Sequence, residues 1–360
     1  MTEQDSTAED QMAPLTSAVE LTPSTTGSDM TSSSSFRAGF YFKCAVIFIG
    51  VVGTAANALI LYAMVVSQQH KKHVLVFNQN ALDIYSCFVL VITYIVKLCN
   101  IHLSGTLGYY LCVFLLSECL IWSGIIGSVI NLTAITVERY LKVVHAAWSK
   151  KKLRKWMIYS AAAFSWFGGF VYELSLDINT TTVIDGVCYA VEVWESLVGK
   201  VAHVIWNFAS FYVGTILLFV FCYWRILVVV RRQARVMAGH AAAGQGTTQT
   251  QPNQIRTNII KTMIFVSTFF AITWMPIKFH FFLATFNYNL SYSEDAYYSV
   301  LFIAFLYICA NPFIYAVKFD PVKRVLLGLI PCKKNAVEPV ASVQIATPGV
   351  AAISTVQARN

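Results

Sequence analysis

A chain of 360 residues in which 57% are hydrophobic and 12% are charged, with a mean hydropathy of +0.60, is too apolar to be a water-soluble domain. Its formal net charge of +8 does not indicate a nucleic-acid-binding protein, because the basic residues are confined to particular loops between apolar stretches. These properties predict a protein whose main solvent is lipid.

The chain begins with a polar segment, residues 1–38, that is rich in serine, threonine and acidic residues. It has no basic region followed by an apolar core, so we expect no cleaved signal peptide. A segment of this composition cannot bury enough apolar surface to fold, and we expect a disordered tail.

Seven apolar stretches that follow are long enough to cross a bilayer. A hydrocarbon core about 30 Å thick requires about 20 residues of helix. We call these stretches spans 1 to 7, and they are Gly39–Val66, Val74–Leu98, Tyr109–Val143, Lys155–Leu176, Val201–Arg232, Thr257–Phe286 and Ala296–Val317. The predicted fold class is an all-α membrane protein, a bundle of seven transmembrane helices. A short amphipathic helix, Pro321–Leu329, is predicted on the membrane surface after span 7.

The basic residues predict the orientation of the bundle. Of the 26 lysines and arginines, all but Arg37, Lys43, Lys97, Lys200 and Lys278 lie in the loops after spans 1, 3 and 5, at the helix ends beside them, or after span 7. The positive-inside rule places these loops in the cytoplasm. We therefore expect an extracellular amino terminus, a membrane domain over residues 39–331 and a disordered cytoplasmic tail over 332–360.

Two of the nine cysteines lie where oxidation is expected, and the set contains no paired Cys-x-x-Cys pattern for zinc. Cys112 opens span 3 on the outer side and Cys188 lies in the outer loop before span 5, so we predict a disulfide between them. Cys119 is the alternative partner but lies deeper. Asn179 and Asn289 begin glycosylation sequons in predicted outer loops.

Polar residues inside lipid-embedded helices are costly, and here they form a recognisable set. The set comprises Asn57, Leu82-Asp83, Glu138-Arg139-Tyr140, Trp166, Tyr223, Trp274-Met275-Pro276 and Asn311-Pro312-Phe313-Ile314-Tyr315. By the order and placement of these motifs, over about residues 39–332, the chain resembles the rhodopsin-like (class A) G-protein-coupled receptors. The resemblance implies a non-enzymatic plasma-membrane receptor whose partners are an extracellular ligand, a heterotrimeric G protein and arrestin.

The resemblance also assigns switching roles. The residues concerned are Glu138, Arg139, Tyr140, Tyr223, Trp274, Pro276, Asn311, Pro312 and Tyr315. We expect Arg139 to pair with Glu138 at rest and to bind carbonyl groups of a partner after opening. Pro276 removes a backbone hydrogen bond, so the inner half of span 6 can swing outward. The alternatives are a positive-inside anchor for Arg139 and purely structural kinks at the prolines.

The resemblance further implies a sodium site at Asp83, Ser128 and Asn311, with Asn57 and Trp274 around it. Sodium is a hard ion that favours oxygen ligands. The alternative is a water-filled polar network. Cys332, just past the surface helix, is predicted either to be palmitoylated or to be a free thiol.

Several positions depart from the family pattern. Thr215 replaces the usual proline of span 5, which puts the bulge of that helix in doubt, and Tyr307 replaces a small amide near Asp83. Arg256 replaces the acid that ties down Arg139 in many relatives, which motivates a hypothesis of raised basal signalling. Cys112 lies farther from Arg139 than usual, so we expect an irregular turn at the start of span 3.

The ligand pocket is expected to be aromatic, with charged groups nearby. Its predicted lining is Glu118, Ile121, Trp122, Phe208, Phe211, Trp274, Lys278, Phe281, Tyr297 and Phe305. Phe305 occupies the position of the retinal-binding lysine, so no retinal is expected. Ile121 occupies the position of the aspartate of amine receptors, which favours a peptide or lipid-like ligand over a monoamine. Lys278 is expected to contact the ligand, to pair with Glu118 or to reach outward.

Two other functions remain open at this point. A seven-helix transporter would require an inverted repeat, broken helices at the midplane or a retinal lysine, and the sequence shows none of these. A scavenger receptor would bind ligand without coupling, and the presence of Arg139 argues against it. Clustered catalytic side chains are also missing from the sequence, so no enzymatic activity is expected.

Overall fold

The computed structural model describes residues 28–190, 196–242, 250–286, 294–318 and 320–329, and it describes side chains over 37–190, 196–236, 260–286, 295–314, 316 and 322–329. The sequon at Asn289, the palmitoylation candidate Cys332 and the tail 332–360 lie outside the described residues. The side chains of Arg256 and Tyr315 do as well.

The described residues form helices with one short hairpin. The helices are α1 (Ser28–Val66), α2 (Val74–Leu98), α3 (Gly105–Leu111), α4 (Cys119–Val144), α5 (Ala146–Lys152), α6 (Lys155–Thr180), α7 (Leu197–Asn207), α8 (Thr215–Ala242), α9 (Thr250–Phe286), α10 (Glu294–Lys318) and α11 (Asp320–Leu329). Strands β1 (Thr182–Ile184) and β2 (Val187–Tyr189) pair antiparallel between α6 and α7.

The predicted spans correspond to these helices. Spans 1, 2, 4, 6 and 7 are α1, α2, α6, α9 and α10, whereas spans 3 and 5 each consist of two α-helices joined by a π-helical segment. Helix α1 begins at Ser28, so residues 28–38 are helical and not part of a disordered tail as predicted. The surface helix α11 begins at Asp320, one residue before its predicted start.

Six of the seven spans are long and apolar enough to cross a membrane by length and composition alone. Helix α6 is the other one, and it contains Glu173 and Asp177 in its outer half. Both carboxylates are buried inside the bundle. The two acids of this helix therefore face the bundle interior and not the lipid, and its length of 26 residues still suits a crossing.

Helix α4 lies at the centre of the bundle and packs against α2, α6 and α8. Glycines permit its close approach to α6, since a Cβ added at Gly169 would lie 2.3 Å from the Ser123 carbonyl oxygen and 2.7 Å from the Gly127 nitrogen. Small residues at such crossings allow two membrane helices to touch through their backbones.

Span 3 is irregular near its outer end, as the spacing predicts. A π-helical segment, Cys112–Leu116, follows α3, and Glu118 then takes φ +68°, in the left-handed region, before α4 begins. This conformation is uncommon for a residue other than glycine and requires compensation from surrounding contacts. The break turns the Glu118 side chain toward α2.

Span 5 contains a π-helical segment, Phe208–Gly214, that ends next to Thr215. The bulge that the missing proline put in doubt is therefore present. Such segments insert an extra residue into a helical turn and often occur at functional sites.

Candidate functional site

The disulfide and the Glu138-Arg139-Tyr140 motif lie at opposite ends of span 3, and we call these ends outer and inner. The predicted disulfide joins Cys112 to Cys188, with 5.4 Å between their Cα atoms. It fastens the β1–β2 hairpin to span 3.

Asn179, the sequon residue that was predicted in an outer loop, lies instead in the last turn of α6, where it is exposed.

Glu118 is the centre of the polar contacts in the outer half of the bundle. Its Oε1 accepts a hydrogen bond from the Tyr94 hydroxyl at 2.9 Å and an ion-pair contact from Lys97 Nζ at 2.5 Å. Its Oε2 accepts one from Trp122 Nε1 at 3.2 Å. These three donors hold a buried carboxylate and compensate for its left-handed backbone.

Aromatic rings form the floor of the predicted pocket. The Trp122 ring lies 5.9 Å from the Trp274 ring and 6.0 Å from the Phe305 ring, and Phe305 lies 6.0 Å from Tyr94. Ile121 is fully buried behind them. These distances suit the edge-to-face and tilted packing that aromatic pairs prefer. The structure thus brings together Glu118, Trp122, Trp274 and Phe305, and their role in ligand binding stays a prediction.

Lys278 does not pair with Glu118, and that alternative is wrong because Lys97 is the cation bound to Glu118. Lys278 Nζ instead donates a hydrogen bond to Asn207 Oδ1 at 2.7 Å and lies 5.1 Å from the Trp274 ring centre. Asn207 Nδ2 in turn donates to the Tyr172 hydroxyl at 3.1 Å. The ammonium group therefore faces the bundle interior, which also excludes the alternative of outward snorkelling in this conformation.

The other predicted pocket residues are spread more widely. Phe208 stacks on Phe282 at 4.6 Å, and Phe211 contacts Tyr172 at 4.9 Å, so these rings join span 5 to spans 6 and 4. Phe281 is 44% exposed and contacts Tyr297 at its edge, at 6.4 Å. Phe281 therefore lies largely at the surface of α9. The prediction that it lines an enclosed pocket is wrong for this conformation.

A column of rings leads from the pocket floor toward the inner end. Phe270 lies 6.0 Å from Trp274, 6.0 Å from Phe219 and 5.5 Å from Tyr307. Phe219 lies 6.3 Å from Tyr223. Packed interiors transmit displacement because they contain few voids. A change at Trp274 therefore has a continuous path of contacts to Tyr223.

Tyr223 closes this column beside the arginine motif. Its hydroxyl is 3.0 Å from the Thr136 hydroxyl and 3.2 Å from the Ser267 hydroxyl, which joins spans 3, 5 and 6. Thr136 lies one helical turn before Arg139 on α4.

The prediction that Arg139 pairs with Glu138 in the resting state is wrong. Glu138 instead binds Lys142, four residues later on the same helix, while Arg139 Nη2 lies 2.9 Å from His73 Nδ1. Burial and the charges of Arg139, Lys142 and Lys72 lower the pKa of His73 from 6.5 to about 3. The imidazole is therefore neutral at physiological pH and can accept a hydrogen bond from the guanidinium.

Asp83 is fully buried at the centre of a polar network. Its Oδ2 accepts a hydrogen bond from Asn311 Nδ2 at 2.8 Å, and its Oδ1 accepts from Ser128 Oγ at 3.1 Å and Gln79 Nε2 at 3.4 Å. Asn57 does not bind Asp83 directly, since its amide donates to the Ile308 carbonyl oxygen at 3.2 Å.

Several buried polar atoms around this network have no hydrogen-bond partner among the described residues. They are Asn57 Oδ1, Asn311 Oδ1, Tyr307 Oη and Trp274 Nε1. Buried polar groups are normally satisfied, so these atoms indicate that water or an ion completes the site. The chemistry of the set fits a hard cation, because it offers a carboxylate and neutral oxygen atoms.

Some residues of the site were not identified from the sequence. Gln79, one turn before Asp83, belongs to the central network, and its position four residues away on the same helix face was the available signal. Lys97, Asn207 and His73 contact predicted site residues from other elements, and no local pattern indicates such contacts. Glu173 was visible as an acid within predicted span 4, whereas Asp177 lies one residue past the predicted end of that span.

Comparison with known proteins agrees with this architecture. A sequence model of the family described as 7 transmembrane receptor (rhodopsin family) matches residues 56–315. The crystal structure of squid rhodopsin is similar to the chain with a TM-score of 0.64 and 16% identity, covering 82% of this chain and 85% of that one. That identity supports the fold alone. No curated protein sequence matches the chain. The family match spans more than half of the chain, and the protein is a multi-pass membrane protein that belongs to the rhodopsin family of seven-transmembrane receptors.

Proposed function

We propose that the chain binds an extracellular ligand in its outer aromatic pocket and activates a heterotrimeric G protein through an outward movement of the inner half of span 6. The observation that carries this proposal is the ring column from Trp122 and Trp274 to Tyr223, which ends one turn from Arg139. A ligand shifts the equilibrium only through contacts that differ between the two states.

Pro276 supports the movement of span 6. It lies inside α9, between the rings of the pocket floor and the outer turns, and it removes one hydrogen bond from the helical backbone. The inner half of α9 contacts span 5 through Ser267 and Tyr223. Release of that hydroxyl contact would separate the inner ends and expose Arg139, with arrestin as a second partner for the same opening.

The pocket favours a ligand with apolar or aromatic groups. Trp122, Trp274 and Phe305 provide aromatic contact area, and Ile121 provides no anchor for an ammonium group on span 3. A peptide or a lipid-like ligand therefore suits the pocket better than a monoamine. Lys278 is placed to contact such a ligand after giving up its hydrogen bond to Asn207.

The proposal is tested by G-protein activation in cells that express the chain, challenged with fractionated peptide and lipid extracts. A fraction that activates wild type should fail with Arg139→Ala while still binding, because that variant retains the outer pocket. Binding without activation by wild type would indicate a scavenger instead. Uptake of the active compound into the cells would indicate a transporter.

Lys278→Gln tests the ligand contact separately. We expect a weaker response to the active fraction at unchanged surface expression. An identical response would exclude a role of Lys278 in binding.

We also propose a sodium ion at Asp83, with Ser128 Oγ and Asn311 Oδ1 as neutral ligands. The buried oxygen atoms without partners support it, and a bound cation would offset the burial of the carboxylate. The measurement is the apparent Tm of the purified protein in NaCl against choline chloride at equal ionic strength. Wild type should be more stable in NaCl and Asp83→Asn should show no difference. A wild type indifferent to sodium would leave the water-filled network as the explanation.

The proposed topology has an extracellular amino terminus and a cytoplasmic carboxyl terminus in the plasma membrane. The distribution of basic residues and the disulfide at the outer end support it. Antibody access to tags at each terminus in intact and permeabilised cells tests it, and an even number of crossings would contradict it.

A further inference from the structure

A pair of buried carboxylates in the outer half of α6 is not used by any contact described above. Glu173 is 7% exposed and Asp177 is 1% exposed, and their spacing of one helical turn places them on the same face of the helix. Their charges interact with each other, and that of Asp177 also interacts with Glu118. The pair therefore faces the interior of the bundle beside span 3.

Neither carboxylate has a full counter-ion. Among the described residues, no lysine or arginine nitrogen lies within 4.0 Å of either acid, since the ion pairs are those of Glu118 and Glu138. Lys278 is close enough to Glu173 for their charges to interact, but its hydrogen bond goes to Asn207. Lys97 is bound by Glu118. The ammonium group of Lys278 thus acts on Glu173, whereas the charge that acts on Asp177 is that of another acid, Glu118.

The second observation is an unsatisfied oxygen atom. Ser117 and Cys119 adjoin Asp177, yet its Oδ2 is buried without a hydrogen-bond partner, as is the hydroxyl of Thr181 four residues later. Burying an uncompensated carboxylate oxygen costs free energy, and a buried acid in a membrane helix usually serves a pathway or a ligand. A donor that the described residues do not contain is therefore missing at this point.

A cavity of about 470 Å³ lies between the outer ends of α6 and α7, on the helix face adjacent to the one that contains Glu173 and Asp177, and neither acid lines it. Tyr172, Leu176 and Thr180 line it from the turns that contain Glu173 and Asp177. The hydrogen bond from Asn207 to Tyr172 joins its wall to Lys278. A volume of this size accommodates a small-molecule ligand or a peptide side chain.

We propose that the ligand carries a cationic group, a guanidinium or ammonium, that binds between Glu173 and Asp177 on span 4. The inference rests on the proposed function, because it assigns a chemical class to the ligand of the outer pocket. It differs from the amine-receptor arrangement, in which the anion stands at the position of Ile121. A planar guanidinium can donate to both carboxylates at once and satisfies the free oxygen of Asp177.

The experiment measures binding to the full chain in lipid nanodiscs without a G protein, so that its outcome is separate from coupling. The probes are N-acetyl-phenylalanyl-arginine amide and the same compound with citrulline in place of arginine, which is neutral and nearly isosteric. We expect wild type to bind the arginine probe more tightly, and Glu173→Gln or Asp177→Asn to weaken that binding about tenfold or more. The double variant should bind both probes equally.

Asp185→Asn is the matched control, because Asp185 is an exposed acid in the β1–β2 turn on the same side of the protein. It should retain the preference for the arginine probe. Equal binding of the two probes by wild type, or a preference that survives in the double variant, would overturn the proposal. An infrared band of a protonated carboxyl group that persists in the presence of the arginine probe and disappears in Glu173→Gln would also overturn it, since a shared proton would then replace the ligand cation.

Discussion

His73 holds Arg139 in the described conformation, and its replacement should raise basal signalling. In His73→Phe the acceptor of the 2.9 Å contact is lost while an aromatic ring remains. His73 is also the N-cap residue of α2, but its side chain makes no capping hydrogen bond. The substitution therefore removes the contact with Arg139 without removing a helix cap.

The size of the effect follows from the contact. A hydrogen bond to a charged group contributes about 1.5–3 kcal/mol when buried, and both residues here are only half-buried, so about 1–2 kcal/mol is expected. Every 1.4 kcal/mol changes an equilibrium constant about tenfold. If the contact exists only in the resting state, its loss should raise the active fraction about 5- to 30-fold while that fraction remains small.

The assay is nucleotide exchange on a purified G protein by the chain in nanodiscs without ligand. His70→Phe is the matched control, because His70 lies in the same inner loop and contacts Met64 and Phe77, not Arg139. His73→Asn should restore part of the resting state, since its amide oxygen is an acceptor. Equal exchange by wild type and His73→Phe, or an equal rise in His70→Phe, would refute the reasoning.

The same contact predicts a pH dependence. Burial is the main cause that lowers the pKa of His73 to about 3, and the charge of Arg139 adds to it, so the pKa should rise toward 6.5 when Arg139 leaves and the imidazole becomes exposed to water. His73 then binds a proton more tightly in the state in which Arg139 has left. The contact between His73 and Arg139 is therefore at full strength above about pH 6.5 and weakens as the pH falls below that value. Acidification of the inner side from about pH 7.5 to about pH 5.5 should favour release by up to about tenfold, and His73→Phe should abolish that dependence.

Three further substitutions test the packing of the bundle by the apparent Tm of the purified protein. Gly169→Ala should lower the apparent Tm strongly because the new methyl group meets backbone atoms of α4. Gly168→Ala is the control and should change the Tm little, since its nearest contact lies at 3.4 Å. Similar Tm values for the two variants would contradict the close helix crossing. Cys188→Ser opens a loop of 76 residues and should cost about 4 kcal/mol, so unchanged surface expression and Tm would mean that the bridge is dispensable. Glu118→Gln should lower stability by about 1–3 kcal/mol because the charge of Lys97 loses its partner, and an unchanged Tm would show that this ion pair contributes nothing.

The positions of the helices could be predicted from the sequence because crossing a bilayer fixes their length and apolarity. Span 2 was predicted at the residues where α2 begins and ends, and the disulfide was predicted from the side of the membrane on which two cysteines lie. The irregular start of span 3 followed from spacing. These features depend on local composition or on the membrane itself.

The partners of individual side chains could not be predicted in the same way. Arg139 was expected to bind the adjacent Glu138, but Lys142 stands on the same helix face and binds Glu138 instead. His73 reaches Arg139 from a loop far earlier in the chain. Such pairs depend on how helices rotate against one another, and hydrophobic pattern fixes that rotation only coarsely.

The bulge at Phe208–Gly214 affects how this chain should be compared with others. A π-helical turn adds one residue without lengthening the helix by a full turn, so every position on its outer side is rotated by about 100° relative to a regular helix. Counting outward from Tyr223 along an ideal helix would therefore assign the neighbours of Asn207 to the wrong face. An equivalent of Asn207 in a receptor whose fifth helix lacks this bulge has to be found by superposing coordinates, and mutational data transferred from such a receptor by residue count alone would be shifted by one position.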